Sequence, residues 1–301
     1  MTKVAHISDL HVLDLAGVPL GRFLNKRITG YANLRFKRNH VHRSEYVRAL
    51  ARALRDSDVD HVAITGDLTN LALETEFVAV KRIIEDDLGF DSSKVSIVPG
   101  NHDSYTAGAH RSGRFMEYFG NYVTSDLPVG PDPFPFVRLR GPVAIVGLSS
   151  AIPQMPMIAA GKVGEAQLRA LETVLGFPEV KSRTLMLLLH HPIINPASKR
   201  KAFTNGLWDA EKLLHALRGV ERGLLAHGHL HARMLRTVDT KAGLIAVAGA
   251  TSASLHHADP NKMAGYNLYE FGERGELIHV SARVFVPERG ELDEREIPLF
   301  A

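Results

Sequence analysis

The 301-residue chain contains no cysteine, which excludes disulfide bonds and metal sites built on thiolates. It has no apolar run long enough to cross a bilayer and little excess of one charge, since the formal net charge is +3. The N-terminal residues enter a predicted strand at once, so we expect no signal peptide and a cytoplasmic protein. A hydrophobic content of 45% is enough for a large core and argues against global disorder.

Strand and helix patterns alternate along most of the chain. Strand patterns cover residues 4–7, 61–65, 95–98, 143–148, 184–189, 223–226 and 244–248. Amphipathic helix patterns lie between them, at residues 44–55, 71–87, 164–175 and 209–217. The last part of the chain has strand patterns only, at residues 266–271 and 276–286, which indicates a second, partly antiparallel sheet. No repeat or long linker divides the sequence, so we predict a single α/β domain over residues 1–301.

Five short polar motifs directly follow predicted strands. They are Asp9-Leu10-His11, Gly66-Asp67, Gly100-Asn101-His102-Asp103, His190-His191 and Gly228-His229-Leu230-His231. Functional groups of α/β folds gather at the carboxyl ends of strands, so we expect these motifs to meet. Residues two apart in an extended loop point the same way, which would let both polar residues of Asp-Leu-His or His-Leu-His reach one metal. The two oxygens of a carboxylate would let Asp67 bridge two cations.

The motifs supply carboxylate, amide and imidazole groups. Such mixed oxygen and nitrogen ligands suit Mn, Fe, Zn, Co or Ni better than Ca or Mg. Each motif alone has an ordinary structural explanation, because Gly-Asp pairs commonly form turns and solvated histidines are frequent in loops. All five in this order, each after a strand, are difficult to explain without metal. The sequence therefore predicts a site for two metal ions, and two metals indicate hydrolysis of a phosphate ester or anhydride.

The motif set resembles that of the calcineurin-like metallophosphoesterases over about residues 4–270. The matching segments also include Gly66-Asp67-Leu68-Thr69-Asn70 and Leu189-His190-His191-Pro192. Within this superfamily, the compact layout and the Gly-Asp-Leu-Thr-Asn segment resemble the bacterial class III cyclic-nucleotide and glycerophosphodiester phosphodiesterases. The resemblance implies an α/β fold, a four-layer α-β-β-α sandwich with two mixed sheets.

The resemblance also implies a ligand set. By motif position, one metal would be held by Asp9, His11, Asp67 and His231, and the second by Asp67, Asn101, His190 and His229. The family uses the first histidine of the His-His-Pro motif, which selects His190 over His191. The expected cofactors are two divalent or trivalent ions, with Mn, Fe and Zn the first choices. Ser8, Asp103 and His227 are expected to support the ligands.

The proposed chemistry follows from charge. A phosphodiester is an anion that repels hydroxide, and two cations would neutralise it and lower the pKa of a bridging water, whose hydroxide attacks phosphorus in line. His102 lies beside Asn101 but is not a ligand by motif position, so we predict that it protonates the leaving oxygen. The alternative is a histidine that only orients its neighbours. Asp67 and His102 are thus the predicted catalytic residues.

A basic amphipathic insertion at about residues 14–44 departs from the minimal pattern. Between Arg22 and Arg43 there are seven Lys or Arg residues and no Asp or Glu. Apolar residues recur at nearly helical spacing, at Leu20, Phe23, Leu24, Ile28, Tyr31 and Leu34. The segment is an ordinary helix with its basic face in water, or it contacts an anionic membrane or lipid through residues 20–38, or it binds nucleic acid. It follows Asp9 and His11 in sequence, so we expect it to rim the site.

We interpret the sequence as a phosphodiesterase for a small phosphate-ester substrate, such as a cyclic nucleotide or a glycerophosphodiester. One alternative is a pyrophosphate hydrolase acting on a nucleotide-linked lipid, which would place the protein at the membrane periphery and is favoured by the basic insertion. A phosphomonoesterase and a nuclease are further alternatives, the nuclease disfavoured by the weak net charge. A non-catalytic metal-binding scaffold is disfavoured because every expected ligand position is filled. Dimers occur among related enzymes, but the sequence has no clear dimer signature.

Overall fold

Two six-stranded β-sheets form the centre of the computed structural model, which describes residues 1–19, 42–104, 108, 111–155 and 157–297. The strands are β1 Thr2–Ile7, β2 His61–Thr65, β3 Val95–Val98, β4 Phe136–Arg140, β5 Val143–Gly147, β6 Thr184–Leu188, β7 Arg222–His227, β8 Met234–Asp239, β9 Leu244–Gly249, β10 Gly265–Phe271, β11 Leu277–Val286 and β12 Glu291–Glu296. The helices are α1 Ser44–Arg55, α2 Glu74–Arg82, α3 Arg114–Phe119, α4 Glu165–Gly176, α5 Pro178–Lys181, α6 Lys199–Asn205 and α7 Ala210–Ala216.

Each sheet contains a block of parallel strands. The first sheet has the order β12-β11-β10-β1-β2-β3, in which β1, β2 and β3 are parallel and β10 runs antiparallel to β1. The second has the order β4-β5-β6-β7-β9-β8, with β5, β6, β7 and β9 parallel and antiparallel strands at both edges. Both sheets are therefore mixed, as predicted. The prediction that the C-terminal strands form a second sheet was wrong, because β10, β11 and β12 extend the first sheet beside β1.

The helices cover the two outer faces. In α1, the buried residues Tyr46, Val47, Leu50, Ala51 and Leu54 follow helical periodicity and join the core of the first sheet. The same core includes residues from the inner face of the second sheet, which therefore packs against the first sheet. The outer face of the second sheet is covered by α4 and α7 in a separate apolar cluster. The layers follow the order α-β-β-α, which confirms the predicted fold class.

The helix predicted at residues 71–87 differs in its bounds. It begins at Glu74, and after Arg82 it continues as a π-helical turn over Ile83–Leu88. The later start has a clear cause, because the carboxylate of Glu76 accepts hydrogen bonds from the amides of Leu71 (2.9 Å) and Leu73 (3.1 Å). These two amides are thereby held outside the helix.

Three edge strands were not predicted. They are β4, β8 and β12, and most of β12 is exposed, with the sequence Glu-Leu-Asp-Glu-Arg-Glu. Such a strand has no buried face to impose an apolar alternation on its sequence.

Two predictions are not tested by the described residues. The predicted amphipathic pattern at residues 20–38 lies outside them, and the extent of the domain over residues 1–301 stays a prediction. Within the part of the chain that is described, no helix is long and apolar enough to cross a membrane.

Candidate metal centre

The five motifs meet at the carboxyl ends of the parallel strands of both sheets. Asp9 follows β1, and its amide donates to the carbonyl oxygen of Gly66 after β2 (3.0 Å). Across the second sheet, the Gly228 amide after β7 donates to the carbonyl oxygen of His190 after β6 (3.1 Å). The motif loops are thus tied to one another by backbone hydrogen bonds at one edge of the sandwich.

One group of side chains contains Asp9, His11 and His231. The Nε2 atom of His231 lies 3.0 Å from Asp9 Oδ1 and 3.1 Å from His11 Nε2. His11 Nε2 is also 3.8 Å from Asp9 Oδ1 and 3.9 Å from Asp67 Oδ2. Ligand atoms of the three side chains lie within 4.8 Å of one another, which is close enough for them to share one cation. We call these residues the first cluster.

A second cluster contains Asp67, Asn101, His190 and His229. His190 Nε2 lies 3.1 Å from Asn101 Oδ1 and 3.4 Å from Asp67 Oδ2. The other ring nitrogen of His190 donates to the carbonyl oxygen of Thr65 (2.7 Å), so the neutral ring presents the Nε2 lone pair to the cluster. His229 Nε2 is 3.0 Å from the carbonyl oxygen of Asn205, which leaves Nδ1 as its ring atom for a metal.

His191 lies beside the second cluster but has different partners. Its Nδ1 is 2.8 Å from Ser150 Oγ, and its Nε2 is 2.9 Å from the carbonyl oxygen of Ala159. Both ring nitrogens are therefore engaged within the protein. This geometry favours His190 over His191 as the metal-binding residue of the pair.

The buried charges of the two clusters depend on each other. Burial alone would raise the pKa of Asp67, but the charges on nearby His190 and His102 hold that pKa well below its usual value. Burial likewise opposes protonation of His190, yet the Asp67 carboxylate outweighs it and raises the pKa of His190 to about 9. Without metal, a proton on His190 neutralises the carboxylate. A cation bound there would take over that role and release the proton, so the donor set fits a metal.

The backbone at the site is left-handed at several predicted ligands. The φ angle is positive at Asp9 (52°), His11 (45°), Asp67 (50°), His229 (68°) and His231 (49°). The prediction that Asp9 and His11 lie in an extended loop was therefore wrong. The side chains converge because each ligand takes a left-handed turn, while Leu10 between them is buried in the core.

Two motif glycines allow the carboxylates to pack against backbone. A Cβ atom on Gly100 would lie 2.2 Å from both the amide nitrogen and Oδ1 of Asp67. A Cβ atom on Gly228 would lie 2.0 Å from Ser8 Oγ and 2.3 Å from Asp9 Oδ2. Each cluster thus has one carboxylate pressed against a glycine, which no other residue type would permit without a shift.

Asp103 and His227 are buried next to the predicted ligands. The Asp103 carboxylate accepts hydrogen bonds from the amides of Gly100 (2.9 Å) and Thr69 (3.0 Å), which ties two motif loops together. Burial raises the pKa of Asp103 to about 6, and the neighbouring charge of Asp67 adds to the increase. His227 is buried, and its Nδ1 donates to the carbonyl oxygen of Gly228 (2.9 Å).

His102 lies at the junction of the two clusters. Its backbone amide donates to Asp67 Oδ1 (2.7 Å), and its ring Nδ1 lies 2.7 Å from the carbonyl oxygen of Asn70. A ring nitrogen of His102 is within 4.8 Å of ligand atoms of His11 and Asp67. The His102 imidazole therefore lies beside both His11 and Asp67.

His42 is a site residue that the sequence did not reveal. Its ring centroid lies 4.9 Å from that of His11 and 5.8 Å from that of His231, and its Nδ1 is 2.7 Å from Ser254 Oγ. No motif surrounds it, so no local pattern marks it. Because His42 belongs to the predicted insertion at residues 14–44, the end of that segment does lie beside the first cluster.

This fold and this site define a class of metal-dependent hydrolase. A family model described as calcineurin-like phosphoesterase matches residues 2–233, and the chain belongs to that family. Membership confirms the resemblance to calcineurin-like metallophosphoesterases and makes the protein a metal-dependent phosphoester hydrolase with the dinuclear metal site typical of the family. The resemblance to class III phosphodiesterases stays a prediction.

Solved structures support the same fold. A dimetal phosphatase from Danio rerio has a TM-score of 0.62 and 14% identity, with 99% of each chain covered. The purple acid phosphatase PPD1 from yellow lupin (Lupinus luteus) seeds has a TM-score of 0.59 and 12% identity, over 97% of this chain. The present chain spans only 52% of the lupin enzyme. No curated protein sequence matches the chain. At these identities, the likeness shows the fold alone.

Proposed function

We infer that the protein is a phosphodiesterase with a dinuclear metal centre. The observation that carries this inference is the position of Asp67 between the two clusters, with Oδ2 3.9 Å from His11 Nε2 and 3.4 Å from His190 Nε2. A carboxylate in that position can bridge two cations. When bound, such cations supply Lewis acidity toward the phosphoryl oxygens and lower the pKa of water.

The proposed ligands are those of the two clusters. One cation would be held by Asp9, His11, Asp67 and His231, and the other by Asp67, Asn101, His190 and His229. Imidazole, amide and carboxylate donors suit Mn, Fe or Zn. The support for this assignment is the short spacing of donor atoms, because those of Asp9, His11 and His231 lie within 4.8 Å of one another, as do those of Asp9, Asp67 and His190. Asn101 Oδ1 lies 3.1 Å from His190 Nε2.

His102 is the proposed general acid for the leaving oxygen. Asn70, the last residue of the Gly-Asp-Leu-Thr-Asn segment, accepts a hydrogen bond from the His102 ring (2.7 Å) and donates one to the His11 carbonyl oxygen (2.5 Å). Asn70 therefore connects the His102 ring to the backbone of His11 in the first cluster. A diester substrate follows from the resemblance of this segment to class III phosphodiesterases, with cyclic nucleotides and glycerophosphodiesters as the first candidates.

A second candidate is a pyrophosphate hydrolase acting on a nucleotide-linked lipid at the membrane surface. His42 supports it, because this residue places one end of the basic segment beside His11. A basic amphipathic segment at that position would bring an anionic membrane surface to the site. The protein would then be cytoplasmic and peripheral to the membrane. A homodimer is compatible with either proposal, whereas a nucleic-acid substrate is not favoured.

The test is hydrolysis by metal-stripped protein reconstituted with Mn²⁺. We expect faster turnover of bis-p-nitrophenyl phosphate than of p-nitrophenyl phosphate, and loss of both with Asp67→Ala. Preference for the monoester would replace the proposal with a phosphatase. Two bound metals without turnover of either substrate would favour the lipid-linked pyrophosphate. Absence of metal binding would overturn the metal centre.

A further inference from the structure

A continuous chain of hydrogen bonds leads from Asp9 into the middle of the first sheet. Its members are all buried and come from β10, β1, β2 and the loop after β1: Asn267, Tyr269, His6, Thr65, Ser8 and Asp9. At the end near the metal centre, Ser8 Oγ lies 2.6 Å from Asp9 Oδ2, and Thr65 Oγ1 lies 2.8 Å from Ser8 Oγ. The chain thus begins directly behind the first cluster.

The remaining links run through a buried histidine. His6 Nε2 is 2.8 Å from Thr65 Oγ1, and His6 Nδ1 is 2.9 Å from the hydroxyl of Tyr269. That hydroxyl lies 3.1 Å from Nδ2 of Asn267, whose amide also reaches the carbonyl oxygen of Gly249 (3.1 Å). Asn267 therefore anchors the chain to β9 of the second sheet.

Only one direction of donation satisfies every link from Asp9 outward. An ionised carboxylate accepts but cannot donate, so Ser8 gives its single proton to Asp9. The Ser8 oxygen must then accept from Thr65, and the Thr65 oxygen must accept from His6. The carbonyl oxygen of Thr65 also lies 3.0 Å from Ser8 Oγ, but the contact to the carboxylate is shorter and charge-assisted.

The same logic fixes the tautomer of His6. Its Nε2 carries the proton, so Nδ1 accepts from the Tyr269 hydroxyl, and the Tyr269 oxygen accepts from Asn267. Burial lowers the pKa of His6 to about 3, which keeps the ring neutral and makes a single tautomer meaningful. Burial also raises the pKa of Tyr269, which keeps its hydroxyl protonated as a donor.

The chain of hydrogen bonds determines which oxygen of Asp9 faces the first cluster. Oδ2 accepts from Ser8 Oγ (2.6 Å) and from the His229 amide (3.0 Å), so both donors occupy the same oxygen. Oδ1 is left toward His231 Nε2 at 3.0 Å. We propose that this directed chain positions Asp9 and sets the metal affinity of the first cluster, with His6, Thr65 and Tyr269 as positioning residues that act through Ser8. The proposal rests on the metal centre proposed above.

Strand β10 offers a matched control for the loss of the Tyr269 hydroxyl. Tyr269 and Tyr266 are both buried residues of β10, and they point to opposite sheet faces because they are three positions apart on the strand. Tyr266→Phe removes a hydroxyl outside the chain, whereas Tyr269→Phe removes one link. Thr65→Val removes another link with little change of shape, and Thr65→Ser restores the hydroxyl.

The experiment is calorimetric titration of metal-stripped protein with Mn²⁺, with thermal unfolding of the same metal-free samples. We expect Ser8→Ala to weaken one of two Mn²⁺ sites by about 10–100-fold, as is common for groups that orient a ligand. Thr65→Val and Tyr269→Phe should weaken that site by smaller factors and leave the other unchanged, and Thr65→Ser and Tyr266→Phe should match the wild type. Weakened binding in Tyr266→Phe equal to that in Tyr269→Phe would overturn the proposal.

Two further results are decisive. If Tyr269→Phe keeps the wild-type Mn²⁺ affinities but unfolds at a lower temperature, Tyr269 has a structural role alone and only this proposal is overturned. If the wild-type protein binds no Mn²⁺, the metal centre and the proposal are overturned together.

Nitrogen-15 NMR of the metal-free protein reports the tautomer of His6 independently. We expect His6 as the Nε2–H form, and an Nδ1–H form would refute the direction of the chain.

Discussion

The two clusters of the metal centre orient their side chains by different means. In the second cluster, a backbone carbonyl fixes an imidazole, since His190 Nδ1 donates to Thr65 at 2.7 Å. In the first cluster, His11 Nδ1 is buried and has no hydrogen-bond partner among the described residues, and the hydrogen-bonded group is the carboxylate of Asp9, which accepts from Ser8 Oγ at 2.6 Å. In the second cluster both an imidazole and the Asp67 carboxylate are therefore held by backbone hydrogen bonds, whereas in the first the held group is the carboxylate of Asp9. The two proposed metal positions are therefore supported by different contacts.

Removing one histidine from either cluster should have the largest effect on diester hydrolysis, and the two losses should differ. His190 is fully buried, whereas the His231 side chain is 24% exposed, so water can replace it more easily. We expect His190→Ala to reduce diester hydrolysis by about 10³-fold and His231→Ala by about 10²-fold, with one metal lost in each. Elemental analysis and initial rates would measure both. Equal losses would contradict the difference between the halves.

His102→Ala should have the next largest effect. The main-chain bond from residue 102 to Asp67 survives this substitution, so we expect both metals to stay bound. Loss of the general acid should cost about 10²-fold on diesters with poor leaving groups and less on those with good ones. Rates across a series of aryl phosphodiesters would test this. A uniform loss over the series would leave His102 as an orienting group.

Alanine at the two motif glycines should give the smallest effect. Gly100→Ala pushes on Asp67 and Gly228→Ala pushes on Ser8 and Asp9, so each should weaken Mn²⁺ binding by about 10-fold or more through overpacking. Gly176→Ala at the end of α4 is the control, because no atom outside the local helix lies within 4 Å of its added Cβ. Calorimetric titration would measure the affinities. Wild-type affinity in the Gly100 or Gly228 variant would show that the loops shift without cost.

The sequence carried enough information for the buried strands and the motifs after them. Strands 61–65 and 95–98 and helix 44–55 have the predicted bounds, because burial on one or both faces imposes an apolar pattern. Edge strands such as β12 lack that constraint and were missed. The predicted metal ligands meet in the structure because each lies at a strand end, where topology alone brings them together.

Contacts between distant positions could not be predicted from one sequence. His42 lies beside the first cluster, where it forms a β-bridge with Leu255 and a hydrogen bond with Ser254, both distant in sequence. His6 and Tyr269 meet because β1 and β10 pair antiparallel, a register that no local pattern reveals. The left-handed backbone at Asp9 and His11 was also missed, because residues other than glycine adopt it uncommonly and no glycine marks this turn.

That backbone has a consequence for how such a site is kept over generations. Each non-glycine residue held in the left-handed region costs on the order of 1–3 kcal/mol, and five predicted ligands share this conformation. Glycine at any of these positions would relax the chain while deleting a ligand. The sequence that folds most stably and the sequence that binds metal are therefore different. Selection for stability alone would therefore replace these ligands by residues that relax the backbone, and the metal site would be lost.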